Sequence, residues 1–160
     1  MTRFAVYPGF FDPFTLGHYN IVERAVKLFG QVVVAVAGDS PKSAIFSPKE
    51  RLEMVREIFD GVPNVEVDQF QGLLVEYVRK RKIPLLVRGI RTVSDFEYEY
   101  QMALANKTLA KDVETVFMMT EGHFSFLSST VIREIARLGG SVESMVPRQV
   151  ASRLRKKYEA

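Results

Sequence analysis

The 160-residue chain contains no cysteine. That absence excludes disulfide bridges, thiolate metal ligands and a cysteine nucleophile, and it fits a reducing cytoplasm. Histidine is scarce as well. His18 and His123 are the only two, too few for a multi-histidine zinc site. No apolar stretch is long enough to cross a bilayer, so no membrane partner is expected. Nor is there the apolar segment of a secretory leader, because the opening reads as a strand followed closely by charges and breakers. Repeats, linkers and low-complexity tracts are missing too. The expectation is one cytoplasmic domain over residues 1–160, with enough chain for a sizeable core. The formal charge of +3 is mildly basic, which by itself does not separate phosphate substrates from nucleic acid. The basic–aromatic patterns of single-strand RNA platforms are absent, so no nucleic-acid partner is expected. The terminal run "RLRKKYE" reads as a solvated helix face.

What is present alternates. Residues 4–7 read as a short apolar strand, and 17–30 as a helix with Ile21, Val22, Ala25, Val26 and Phe29 at helical spacing. "QVVVAVAG" is the β-branched run of a parallel strand covered on both faces. "SPKERLEMVREIFDG" opens with a serine cap and a first-turn proline, places Glu50 for a capping box, and should stop at Gly61. "NVEVDQF", "IPLLVRG" and "VETVFMM" read as further strands. "GLLVEYVRKRK", "SDFEYEYQMALANKTL", "SSTVIREIARLGG" and "VPRQVASRLRKKY" read as helices. Five strands with intervening helices predict an α/β fold with a mainly parallel open sheet, whose ligands gather beyond the carboxyl ends of the strands.

Four segments fall at those ends: "PGFFDPFTLGH", "GDSPKS", "RGIRTVSD" and "TEGHFSFLSST". The first lacks both the dinucleotide fingerprint and the Gly-Lys-Ser/Thr of a P-loop. It still brings backbone N–H groups and a helix N-terminus toward an anion. His18 there has two open readings: an imidazole bonded to the backbone at a helix start, or one turned toward phosphate. Asp12 would either hold a cation or close the turn before Pro13. Lys42 follows a buried-looking strand and is either a mobile cation over the sheet edge or an ordinary surface lysine. Arg88 and Arg91 end a strongly apolar strand. They suit phosphate geometry, or they pair with Asp95, Glu97 or Glu99. "SST" at 128–130 is a helix cap on its own, and Arg133 one turn later makes it a cradle for a polyphosphate. His123 borders that loop. Helix N-termini, scattered cations and no covalent nucleophile point to phosphoryl or nucleotidyl transfer by positioning and charge stabilisation.

"TLGH" at 15–18 and "SSTVIR" at 128–133 resemble the two motifs of a nucleotidyltransferase superfamily. With "YPGFFDPFTLGH", "SPKSAIFSPKER", "VRGIRTVSDFEYEYQMALANKTL" and "FSFLSSTVIREIA", nearly the whole chain resembles the bacterial phosphopantetheine adenylyltransferases. The resemblance implies a Rossmann-like nucleotidyltransferase fold of five mainly parallel strands flanked by helices. It implies transfer of AMP from ATP to 4'-phosphopantetheine, giving dephospho-coenzyme A and pyrophosphate in coenzyme A synthesis. The attack is in line, with no covalent enzyme intermediate. Mg2+ would be held mainly by the ATP phosphates, without a fixed protein site, and a homohexamer is implied. Catalytic roles fall on His18, Lys42, Arg88 and Arg91. ATP contacts fall on Phe10, Phe11, His18, Gly89, Ile90, Arg91, Glu99 and the run Phe124, Ser125, Phe126, Leu127, Ser128, Ser129, Thr130. Phosphopantetheine contacts fall on Phe10, Lys42, Leu73, Leu74, Arg88, Met102 and Asn106. Similar enzymes usually carry serine or threonine where this chain has Phe10, so a hydroxyl near the phosphates is lost; Leu16 before Gly17 is a milder departure. Two other readings use the same residues: nucleotide transfer to a different acceptor, and nucleotide binding without turnover.

Overall fold

The structure is a computed structural model and describes residues 3–159. Five strands, β1 (Arg3–Gly9), β2 (Gly30–Ala37), β3 (Val65–Phe70), β4 (Leu85–Ile90) and β5 (Glu114–Met119), form one sheet in the order β3-β2-β1-β4-β5. Every pairing is parallel. Helices α1 (Leu16–Phe29), α2 (Pro48–Ile58), α3 (Leu74–Arg81) and α4 (Val93–Leu109) make the crossovers. Helices α5 (Ser129–Arg137) and α6 (Arg148–Glu159) close the chain. No described helix is long and apolar enough to cross a membrane.

Strand alternation divides the apolar residues between two cores. Ala5, Tyr7, Val32, Val34, Val36 and Val87 face the larger one, with α1, α2, α5 and α6. Val6, Val33, Ala35 and Leu86 face the smaller one, against Val75 and Val78 of α3. A sheet buried on both faces demands continuous apolar strands, which is why β2 carries almost nothing else. The expected cap of α2 is present: the Ser47 hydroxyl accepts from the Glu50 N–H, and Glu50 reaches back to the Ser47 N–H at 2.7 Å. The stop differs. α2 ends at Ile58 and Phe59 caps it, so Gly61, with φ of 71°, serves the following turn instead. The basic C-terminal run is not simply solvated: Arg153, Arg155 and Lys157 of α6 pair with Glu57, Glu143 and Glu50.

Two features of this frame position chemistry. β1 pairs with β2 over its full length, but its one registered pair with β4 is Val6 with Leu86. Beyond that pair the two strands part, where the connections switch direction, and this is where an open α/β sheet leaves a crevice. The other feature is α4, which buries none of its residues and exposes Phe96, Tyr98, Tyr100, Met102, Leu104 and Leu109.

Candidate active site

The crevice beyond β1 and β4 is a cavity of about 360 Å³. Residues of both sequence motifs line it, including Thr15, Gly17 and His18 from the first and Ser128, Ser129, Thr130 and Arg133 from the second. Specific bonds bring them together. The Ser129 hydroxyl donates to the Pro13 carbonyl at 2.8 Å, and Arg133 donates to the Asp12 carbonyl at 2.5 Å. Asp12 itself does not stand free. Its two carboxylate oxygens accept from the Ile45 and Phe46 N–H groups, each at 3.0 Å, so it ties the first turn to the segment following Lys42.

The first open reading of His18 holds: the imidazole is bonded to the backbone at the helix start. Thr15 caps α1 by accepting from the His18 N–H, and His18 Nδ1 accepts from the Thr15 N–H at 2.9 Å. The imidazole therefore takes the place that Glu or Gln holds in an ordinary capping box. Because Nδ1 accepts, the ring proton sits on Nε2, and the Nε2–H remains for the cavity that His18 lines. The rings of Phe11 and Phe14 lie 5.2 Å from the imidazole, with Tyr7 at 6.4 Å. Desolvation among them, reinforced by Arg91 and Arg88, lowers the His18 pKa from 6.5 to about 3. At neutral pH His18 is therefore a neutral N–H donor. Burial also pushes the Tyr7 hydroxyl upward, so it is neutral as well.

Arg88 and Arg91 both line the cavity, and both are already paired. Arg88 Nε and Nη2 form a fork on Glu99 at 2.7 and 2.6 Å, and Nη1 donates to the Pro8 carbonyl at 2.5 Å. Arg91 makes the equivalent fork on Asp95, at 2.9 and 3.2 Å, and donates to the Leu127 carbonyl. Of the three acids considered from sequence, Glu97 alone takes no part in these forks. β4 can approach α1 this closely because residue 89 is glycine: a Cβ there would lie 3.2 Å from the Ile21 side chain.

A second cavity, also about 360 Å³, opens beside the first and shares Pro8, Gly9, Phe10, Arg88 and Glu99 with it. Its remaining wall is largely apolar, with Phe70, Leu74, Leu86 and Met102, and Asn106 offers an amide. Arg88, Glu99 and the half-exposed Phe10 ring therefore stand where the two spaces meet.

Several expected residues stand elsewhere. Phe11 is 4 % exposed, with its ring in the core against Tyr7 and Phe14, so only its backbone is suited to a ligand. Ile90 is buried and lines neither cavity, and neither do Phe124, Ser125 and Phe126, although Leu127 lines the first with the serines after it. Leu73 is exposed at the N-cap of α3, outside the second cavity. Lys42 is exposed on the rim, between the cavity-lining Pro41 and Ser43, and makes no hydrogen bond or ion pair among the described residues. The His123 ring lies tilted against Phe124 and lines neither cavity. Sequence reasoning passed over Tyr7 and Arg51, and took Thr15 only as part of a motif, not as a cap. A Thr-x-x-His pair ahead of an apolar helix was a readable capping signal, and Arg51 sits within the apolar stripe of α2.

Comparison with known proteins agrees with this geometry. The cytidylyltransferase-like family model matches residues 6–135. The phosphopantetheine adenylyltransferase of Desulforudis audaxviator is 53 % identical over 156 residues, covering 98 % of this chain and 96 % of that one. The enzyme of the same name from Moorella thermoacetica is 51 % identical, with 98 % of each chain covered. That from Leptospira biflexa is 46 % identical, covering 99 % of each. The chain belongs to the phosphopantetheine adenylyltransferase family. The regions matched include both cavity-forming turns and the β4–α4 segment that carries Arg88, Arg91, Asp95 and Glu99.

The neutral imidazole has a measurable consequence. Unfolded His18 takes up a proton near pH 6.5, whereas folded His18 does so only near 3. Its contribution to stability is complete above the unfolded value and declines as the pH falls through that window. The stability gap between wild type and His18→Ala should narrow by at most about 1.4 kcal/mol per pH unit below 6.5, read by urea unfolding. A gap that widened on acidification would mean that His18 is charged when folded.

Proposed function

We propose that this chain transfers the adenylyl group of ATP to 4'-phosphopantetheine, with ATP in the polar cavity and the acceptor along the apolar one. The observation that carries this arrangement is the junction: two cavities of complementary character meet at Arg88 and Phe10. The acceptor's phosphate oxygen attacks the α-phosphorus in line. A new P–O–P linkage forms, the bond to the β-phosphate breaks, and pyrophosphate leaves with its electron pair. The proton-free acceptor phosphate needs no general base, and His18 offers none, because its Nδ1 lone pair is taken by the Thr15 N–H and its Nε2 carries the proton. His18 Nε2–H donates to the phosphoryl oxygens where charge develops. Arg91 and the helix start at Ser128 hold the leaving phosphates, and Arg88, with Lys42 swinging in from the rim, holds the acceptor phosphate. Leu74, Met102 and Asn106 follow the pantetheine arm. Mg2+ fits as a companion of the nucleotide, neutralising phosphate charge when bound, because Asp12, Asp95 and Glu99 are already engaged. The cysteine-free composition agrees with a cytoplasmic setting.

Incubation with ATP, Mg2+ and 4'-phosphopantetheine should yield dephospho-coenzyme A and pyrophosphate, identified by mass, and EDTA should abolish both. His18→Ala should lower kcat by about 10²–10³-fold with the fold retained. An unchanged chemistry-limited turnover would remove His18 from the mechanism.

Phe10 replaces a hydroxyl by a ring at the junction, a loss of about 1–3 kcal/mol if a polar contact there strengthens in the transition state. Phe10→Thr should therefore raise kcat/KM for ATP by about 5-fold or more. Equal kinetics would show that the Phe10 backbone supplies what the site needs.

The same reading includes a homohexamer in which α4 is covered. An exposed apolar helix of this length is costly to leave in water. Sedimentation should give six times the 18.2 kDa chain mass, and Leu104→Glu, outside both cavities, should shift it to smaller species.

A further inference from the structure

Arg51 has no place in the mechanism above, yet among the described residues it is the largest side chain fully removed from solvent. Its neighbours on the buried stripe of α2 are Met54, Val55 and Ile58. No carboxylate forms an ion pair with it among the described residues. Its guanidinium donates to the Phe10 carbonyl at 2.6 Å, the Ala37 carbonyl at 2.8 Å and the Ser40 hydroxyl, and its Nε has no partner. A buried cation whose carboxylate neighbour, Asp12, acts on it only from beyond contact distance is expensive. A fold needing only volume there would do as well with an apolar residue. What a guanidinium adds is several donors in one rigid plane, and here they reach three separate places: the turn after β1, the end of β2, and the loop leading to Lys42.

The first of these bonds orients a peptide group. The Phe10–Phe11 peptide is trans, since the only cis bond among the described residues is Asp12–Pro13. In a planar trans peptide the C=O and N–H point in opposite directions. With the Phe10 carbonyl drawn back onto Arg51, the Phe11 N–H points away from Arg51, on the side where Phe10 and Phe11 line the cavity and Arg51 does not. That N–H has no acceptor among the described residues. Phe11 also holds a φ of 54°, an unfavourable conformation for a bulky side chain. Its ring is wedged beneath Gly9, where a Cβ would stand 2.8 Å away. A strained backbone kept in place by its surroundings at the floor of a cavity is the expected form of a preorganised donor.

We propose that Arg51 is a positioning residue for the adenylyl transfer. From behind the cavity it fixes the Phe10–Phe11 peptide so that the Phe11 N–H meets a nucleotide phosphate oxygen, and through Ser40 it sets the distance of the Lys42 loop from that phosphate. The proposal rests on the reading that the polar cavity takes the triphosphate. Arg51 touches neither substrate, and it acts on phosphates while leaving the adenosine part of the nucleotide untouched.

Arg51→Lys, Arg51→Met and Ser40→Ala should be compared with wild type by calorimetric titration with inorganic pyrophosphate and, separately, with adenosine. The two Arg51 variants should bind pyrophosphate about 10- to 100-fold more weakly, with adenosine affinity unchanged. Lysine should keep more than methionine, because it restores one charged donor. Ser40→Ala, at an exposed position, should lose about 3-fold in the same direction, and it decides the matter if Arg51→Met fails to fold. Equal pyrophosphate affinity in the folded variants, or parallel loss of pyrophosphate and adenosine binding, would overturn the positioning role and leave the site reading intact. Wild-type protein that binds no pyrophosphate would overturn both.

Discussion

One hydrogen bond, from the Thr15 N–H to His18 Nδ1, determines what the rest of the site can be. It settles the tautomer, so the only ring proton faces the cavity. It also caps α1, whose N-terminus brings its own partial positive charge to the same space. The rings that surround the imidazole keep it neutral across the physiological range. A protonated histidine would have to give up the bond from Thr15, because both of its nitrogens would be donors. The cap and the neutral state thus enforce one another.

Cationic charge comes from elsewhere and is kept under restraint. Arg88 and Arg91 each lie in a carboxylate fork, with a third bond to a backbone carbonyl. Such pairing preorganises each guanidinium plane, so that little ordering remains when phosphate arrives. It also prevents the two arginines from repelling each other in a partly desolvated crevice, and it tempers the field that lowers the His18 pKa. Lys42, exposed and unpaired on the rim, is the complement: a cation on a flexible stem whose ordering is left to binding.

The sheet and most helix spans were legible because they depend on local pattern. β2 could only be a strand covered on both faces, and Ser47, Pro48 and Glu50 announced the start of α2. The site was legible in part. "TLGH" and "SSTVIR" marked the right turns, but the bonds that join them, Ser129 to Pro13 and Arg133 to Asp12, span more than a hundred residues and leave no local trace. The neutral state of His18 left no local trace for the same reason. Its pKa depends on Phe11 and Phe14 being folded over it, and Phe11 reaches that place through a positive φ that ordinarily suggests glycine. Arg51 did leave a sign, a charged residue at the i position of an i, i+3, i+4, i+7 apolar stripe, which a search for exposed cations passes over.

Phe10 draws these strands together. Its ring is half exposed where the two cavities meet, while its carbonyl is bonded to Arg51 behind. The two halves of the residue answer to different constraints. The backbone is fixed by a buried cation and by the geometry of the following residue, so its conformation does not depend on which side chain is attached. The side chain faces open space and has no polar partner to satisfy. A side chain exchanged at such a position leaves the buried bond to Arg51 in place and alters the wall shared by the two cavities beside Arg88.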